Sequence, residues 1–295
     1  MLVAAVDKGS FSAASVELGC TQSRISHAIA ELEEYVGARL LLRTRSGCTP
    51  TLAGQRVLGY ARHMLSIADD IAKTTRDDGI SGTVRLACLR SVATHLLPDA
   101  IGALAREYPH VHLEVLDGCH DYGSVATLVE AGRADIGITR GPIGAPFVSL
   151  PFVSDQYVVI APTAAKLKSP VSWEQLASLP LIHIQQPGAA WILEQCRTAG
   201  LTQQPKRELA NESGIVAMVE RGLGYAVLPR LTVFPESPAV QVLSLPFLAT
   251  RKLALFGMRQ RLASKVVGTA LRFIRDKRLL KGVDACRAGA FTFDY

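Results

Sequence analysis

Residues 17–33 read ELGCTQSRISHAIAELE, and the apolar positions around this stretch keep helical spacing on both sides of its centre. Phe11, Ala14 and Leu18 make one run and Ile25, Ile29 and Leu32 the next, with only Gly19-Cys20-Thr21 between them. A glycine just past one helix, followed by a threonine that can cap another, joins two helices through a tight turn. Cys20 falls in that turn, where the expected role is to fill space.

The second helix divides into two faces. With Ile25 at zero on a helical wheel, Ile29 and Leu32 lie within about 40° of it, while Ser23, Ser26, His27 and Ala30 fall between about 100° and 200°. Short hydroxyl and imidazole side chains near a helix start suit a helix that enters a major groove, with Gln22, Ser23, Ser26 and His27 toward base edges and Arg24 toward a phosphate. A plain solvated face would look similar. The following residues separate the two readings: from Arg39 to Arg62 there are five arginines (Arg39, Arg43, Arg45, Arg56, Arg62) and no acid. Residues 38–54, ARLLLRTRSGCTPTLAG, predict a small hairpin with its turn near Gly47. Such a wing places Arg43 and Arg45 on the phosphate backbone, where they fix the register of the helix without reading sequence.

Thr51 is placed to cap a long helix carrying two adjacent apolar stripes, Val57, Tyr60, Met64, Ile67 and Ile71 beside Leu58, Ala61, Leu65, Ala68 and Ala72. One stripe can pack on the head that precedes it. The other predicts pairing with the same helix of a second copy. The polar, glycine-bearing TTRDDGISG (74–82) marks a domain boundary.

Composition is compatible with this plan. A chain of 295 residues, 48% hydrophobic, has room for two or three domains with ordinary cores. No apolar stretch approaches the ~20 residues of a membrane span, and Asp7 and Lys8 interrupt the short apolar start, so a cytoplasmic protein without a membrane partner is expected. The six cysteines (Cys20, Cys48, Cys88, Cys119, Cys196, Cys286) have no C-x-x-C or zinc spacing and read as small apolar residues. Net charge is +6. From Arg251 onward eleven Lys or Arg face three Asp.

Residues 9–44, GSFSAASVELGCTQSRISHAIAELEEYVGARLLLRT, followed by TPTLAG (49–54), resemble the N-terminal winged helix-turn-helix of the LysR-type transcriptional regulators. The resemblance runs over almost the whole chain, and its motifs (G-S-F-x-A-A, Q-S-x-x-S, L-E-x-x-x-G-x-x-L-L-x-R-T and T-x-A-G) occur together at the family's spacing. It implies that Ser12, Gln22, Ser23, Ser26 and His27 face DNA and that Arg43 is the wing arginine. Ser23 stands where proline is usual, His27 where arginine is usual, and Leu41-Leu42 where phenylalanine and a charged residue are common, so base preference is expected to differ. The family's first helix begins several residues before Met1; either helix 1 is shorter by about two turns or translation starts upstream.

Beyond residue 83 strands alternate with helices. TVRLACL (83–89), a helix over 96–108, HVHLEVL (110–116), a helix over 122–132 and ADIGIT (134–139) make two consecutive βαβ units. A second half follows with QYVVIAP (156–162), LPLIHI (179–184), helices over 189–199 and 212–221, GYAVLP (224–229), RKLALFGM (251–258) and a last helix over 263–274. The fold class is therefore α/β with an all-α N-terminal part: a winged helix-turn-helix (1–50), a linker and dimerisation helix (51–78) and a two-lobed effector domain of periplasmic-binding-protein type (83–275). Lobe I is expected at 83–160 and 258–275, lobe II at 161–257, with the two passes near Ile160-Ala161-Pro162 and Phe256-Gly257-Met258. Residues 276–295 are expected as a frayed basic tail.

Ligands of parallel α/β sheets bind at the carboxyl ends of strands. That selects Arg90, Ser91, Thr94, Gly118, Cys119, Thr139 and Arg140 from the first lobe and Gln186, Pro187, Gly188, Asn211 and Ser213 from the second. Ser91 and Thr94 near a helix start, with Arg140 as counter-charge, suit an anion such as a carboxylate. One branch of the family senses peroxide through a second-lobe disulfide. Cys196 lies close to one such position, yet no second cysteine occurs within fifty residues, which favours a small organic effector.

The reading is a sequence-specific DNA-binding regulator tuned by a small-molecule effector. Its partners are double-stranded promoter DNA, the effector, a second copy in a homodimer or homotetramer, and RNA polymerase. The alternative is a cytosolic small-molecule-binding protein or enzyme whose N-terminal helices only dimerise. No G-x-S-x-G, P-loop, G-x-G-x-x-G or metal-spaced His/Glu pair supports an enzyme, cofactor or metal.

Overall fold

The computed structural model of the chain describes residues 1–44, 47–74 and 79–295. The head starts with α1 (Leu2–Asp7), α2 (Phe11–Glu17) and α3 (Gln22–Val36). Ser10 caps α2 by accepting from Ala13 N at 3.1 Å, and Thr21 caps α3 by accepting from Arg24 N at 3.3 Å. Gly37, at φ 71°, closes α3. Leu2, Ala5, Phe11, Ala14, Ile25, Ile29 and Leu40 bury together, and Cys20 packs partly against them as filler. The hairpin forms as β1 (Leu41–Thr44) and β2 (Gly47–Pro50), antiparallel with Leu41 opposite Pro50.

The linker helix α4 (Leu52–Thr74) begins at Thr51, whose hydroxyl accepts from Gly54 N at 2.9 Å and donates to Arg39 O at 2.8 Å. Gly54 is obligatory: a Cβ there would lie 2.0 Å from Leu40 O. Leu58 and Val57 join the head core, whereas Tyr60, Met64, Leu65, Ile67 and Ile71 are exposed. One part of the apolar surface is therefore used within the chain and the rest is left open. The side chain of Ala72 lies outside the described residues.

Lobe I is built on β3 (Gly82–Leu89), α5 (Arg90–His95), α6 (Pro98–Glu107), β4 (Val111–Cys119), α7 (Tyr122–Glu130) and β5 (Ile136–Arg140). Strand β3 pairs in parallel with both β4 and β5, which makes the two βαβ units. The single helix expected over 96–108 is instead two, because Pro98 opens α6 at its first position and α5 begins six residues ahead of Leu96. Lobe II holds α8 (Trp173–Leu176), β7 (Ile182–Ile184), α9 (Ala190–Thr198), β8 (Arg207–Leu209), α10 (Glu212–Glu220), β9 (Ala226–Pro229), α11 (Arg230–Val233) and β10 (Val240–Ser244).

The lobes are joined by a strand of 15 residues, β6 (Val148–Pro162), and by β11 (Thr250–Gly257) beside it. Up to Gln156, β6 pairs with β11; from Tyr157 it pairs with β9 and β10. The passes therefore fall at Asp155–Tyr157 and just before Thr250, not near 160–162 and 256–258, and β11 belongs to lobe I. The cause is that one unbroken strand changes partners midway, which an apolar run cannot reveal.

The chain ends with α12 (Arg259–Leu262), α13 (Lys265–Ile274), α14 (Lys277–Gly282), α15 (Asp284–Arg287) and β12 (Thr292–Phe293). The expected frayed tail is a folded cap. Leu280, Val283, Ala285, Ala290 and Phe291 bury in the lobe I core, β12 pairs with β6 at Val153 and Ser154, and Lys277 bonds the Tyr295 carbonyl. Its cations stay outside while its apolar residues, spaced for a short helix pair, go in. Phe291→Ala is expected to lower unfolding free energy by about 3–5 kcal/mol in a denaturant titration; a frayed tail would give no change.

Candidate DNA interface and effector cleft

Burial of Ile25 and Ile29 turns Gln22, Ser23, Arg24 and His27 outward, all exposed, with Ser12 exposed at the start of α2. Ser26 is half-buried because the wing covers it: Arg43 Nη1 donates to Ser26 Oγ at 3.1 Å. The Arg43 guanidinium also sits over the Phe11 ring, 4.5 Å from its centroid. Wing, α2 and α3 thus meet at one exposed arginine. His27 Nε2 is 3.3 Å from Glu31 Oε1 one turn on, a contact on a fully solvated face. Arg45 lies outside the described residues.

Between the lobes is a cavity of about 520 Å³. Arg90, Ser91, Thr94, Cys119, Thr139 and Arg140 line one side and Gln186, Pro187, Gly188 and Ser213 the other. Gly118 and Asn211 do not line it. The Asn211 side chain caps α10, accepting from Gly214 N at 2.7 Å, and Gly118 lies in the irregular end of β4. The Thr94 hydroxyl is bonded to Arg90 O at 2.9 Å, one turn back in its own helix. Thr139 is fully buried, and its Oγ1 has no hydrogen-bond partner.

The cavity floor comes from the crossing strands, which the strand-end rule does not reach. Arg251 on β11 grips Asp155 on β6 through two bonds, Nε to Oδ1 at 2.7 Å and Nη2 to Oδ2 at 2.8 Å. The side chains are 6% and 1% exposed. Asp155 Oδ2 also accepts from Leu231 N at 2.9 Å, and Arg251 Nη2 reaches Ser91 Oγ at 3.4 Å. Burial opposes the Arg251 charge, but the Asp155 carboxylate and its hydrogen bonds prevail and hold the guanidinium above its ordinary pKa. Tyr157 sits beside them, its phenol pushed up by burial. His95, another lining residue, is pushed down by burial and so faces the cavity as neutral imidazole at pH 7.

Two contacts cross the cleft mouth. Arg140 of lobe I stacks on Trp191 of lobe II, 4.7 Å from the ring centroid, and Gln186 Nε2 lies 3.4 Å from His120 Nδ1. Burial pushes the Cys88 and Cys196 thiols up to about 12 and raises that of Cys119 in the cavity wall as well.

A winged helix-turn-helix head, a long helix with an open apolar face and a two-lobed domain closing on a cavity define a ligand-responsive DNA-binding regulator. Comparison with known proteins agrees with that class. Residues 1–55 match the bacterial regulatory helix-turn-helix protein, lysR family, and residues 77–278 match the LysR substrate binding domain. The chain belongs to the LysR family of transcriptional regulators. It is 36% identical over 250 residues to the probable HTH-type transcriptional regulator LrrA of Synechococcus elongatus, covering 83% of this chain and 84% of the relative. Its fold superposes on ArgP from Mycobacterium tuberculosis with a TM-score of 0.77 at 19% identity, covering 95% of each chain. For full-length LysG from Corynebacterium glutamicum with bound effector Arg, the TM-score is 0.70 at 19% identity, covering 93% of this chain and 94% of that one.

Asp155→Ala strands the Arg251 charge in the floor and is expected to cost about 3–5 kcal/mol. Asp155→Ala combined with Arg251→Met, which removes the stranded charge, is expected to unfold at higher urea than the single variant.

Proposed function

We propose that this regulator reads promoter DNA through Gln22, Ser23, Ser26 and His27 of α3, with Ser12, Arg24, Arg43 and Arg45 on the phosphates. The observation that carries the reading is the Arg43–Ser26 bond, which fixes a permanent cation at the edge of a face made of short polar side chains. Two copies pair through the open face of α4, around Tyr60, Met64, Ile67 and Ile71, to give a homodimer or homotetramer in the cytoplasm. RNA polymerase at the bound promoter is the further partner.

The effector in this reading is a small carboxylate. Arg90 and Arg140 supply positive charge at the cavity wall, and Thr139 Oγ1 offers a hydrogen bond that a ligand oxygen would complete. A cavity of about 520 Å³ matches a metabolite-sized guest. A carboxylate bound there favours one arrangement of the lobes and so biases the spacing or angle of paired heads.

Duplexes selected from a random pool with the full chain test the reading. Arg43→Ala should weaken all selected sequences by a similar factor and lower the log–log salt slope by about one, while Gln22→Ala should change base preference at a single position by about 1–3 kcal/mol. A carboxylate that raises the melting temperature should also change affinity for the selected duplex. Failure of both variants to alter DNA binding would overturn the proposed contacts.

A further inference from the structure

Helix α7 touches both ends of the molecule's business. Its N-cap Asp121 stands in the effector cleft, where a Cβ on Gly188 of lobe II would meet the Asp121 Cβ at 3.0 Å. His120, just before it, faces Gln186 across the mouth. The cap itself is doubly tied: Asp121 Oδ1 accepts from Ser124 N at 2.8 Å, and Ser124 Oγ accepts from Asp121 N at 3.2 Å. A displacement of Asp121 therefore carries the helix with it.

The other end of α7, about 13 Å away along nine residues, abuts the linker helix. A Cβ on Gly59 of α4 would lie 2.4 Å from Glu130 O, so the two backbones are in direct contact there. A Cβ on Gly132 would lie 3.0 Å from the Arg62 Cβ and 3.1 Å from Gly59 O. Into this junction Arg62 of α4 extends one fork arm to each side. Its Nη1 donates to Ala131 O at 2.8 Å, and its Nη2 bonds Asp7 at the end of α1 in the head. The Arg62 side chain is 13% exposed. A single guanidinium thus bonds lobe I, through the carbonyl that ends α7, and the DNA-binding head.

We propose that Arg62 is a positioning residue for DNA recognition: it sets the orientation of the head relative to lobe I, and α7 transmits cleft movement to it. The inference rests on the inter-lobe cavity being the effector site. Glycines at Gly59 and Gly132 let the helices meet without a cushion of side chains, so a shift at Asp121 is not absorbed by rotamer changes before it reaches Arg62. Lysine cannot replace arginine here, since one ammonium lacks the fork that spans two separated acceptors.

The test needs no effector. Gly188→Val drives a side chain against Asp121 and acts as a wedge at the cleft end; Gln186→Ala, which deletes the cross-cleft contact, takes its place if the wedge variant does not fold. Affinity for a selected duplex is measured for wild type, Gly188→Val, Arg62→Gln and the double variant, and again with Arg62→Lys. Amide exchange over residues 2–8 and 52–68 is read in the same proteins without DNA. The expected result is at least a fivefold change in affinity on Gly188→Val with Arg62 present and less than twofold with Gln or Lys there, with exchange in the head and linker altered only when Arg62 is present. An Arg62 that merely stabilises the fold would lower melting temperature yet leave the two substitutions additive, and additivity overturns the proposal. So does unchanged exchange in the Gly188→Val protein. If the wild-type chain binds no duplex, the reading of the head as the DNA contact falls, and the exchange data alone decide the coupling.

Discussion

A helix that must bury one face cannot choose what it does with the other. Ile25 and Ile29 go fully out of water against α1 and α2, and the geometry of 3.6 residues per turn then sets Gln22, Ser23 and His27 on the surface. The rest of the head exists to hold that helix still. Thr21 caps it, Gly37 ends it, and Glu33 turns inward so that its carboxylate accepts from Leu40 N and Leu41 N at 2.7 and 3.1 Å, pinning the start of the wing to the end of α3. The wing then returns Arg43 to the middle of α3. Sequence-specific binding requires such rigidity, because base contacts discriminate only when their donors arrive in a fixed register.

The effector domain follows a different logic. Its lobes share two antiparallel strands in place of flexible linkers, and at the point where β6 exchanges β11 for β9 and β10 it carries Asp155, bonded to Arg251 and to the Leu231 amide. That carboxylate ties β11 of lobe I to α11 of lobe II across the floor of the cavity. At the mouth the lobes meet instead through the stacking of Arg140 on Trp191 and the approach of Gln186 to His120. A buried bidentate pair at the hinge and exchangeable polar contacts at the rim are what a closing cleft requires.

The sequence made α3, the wing and the capped linker helix legible because each has a periodic or capping signature that a neighbour cannot override. The first-lobe βαβ units were legible for the same reason. Arg90, Ser91, Thr94, Thr139 and Arg140, chosen because they follow β3 and β5, line the cavity between the lobes. Tyr157 and Arg251, with the Asp155 that holds Arg251, escaped because they lie mid-strand on antiparallel segments, where alternation says only that a residue is buried. Asn211 was misplaced because a cap residue at a helix start looks the same whether its side chain serves a ligand or its own backbone. The C-terminal segment misled through charge: its lysines and arginines suggested solvation, while Leu280, Val283 and Phe291 between them supplied the core contacts.

The proposed reading of DNA puts the small polar face of α3 in the major groove. Disulfide crosslinking of Ser26→Cys to a selected duplex bearing a thiol tether on a major-groove base tests it most directly. Tyr35→Cys, 90% exposed in the native protein and about 180° round the same helix from Ser26, serves as the comparison. Rapid crosslinking is expected at position 26 and none at position 35; crosslinking at position 35 alone, or at neither, would mean that this face does not enter the groove.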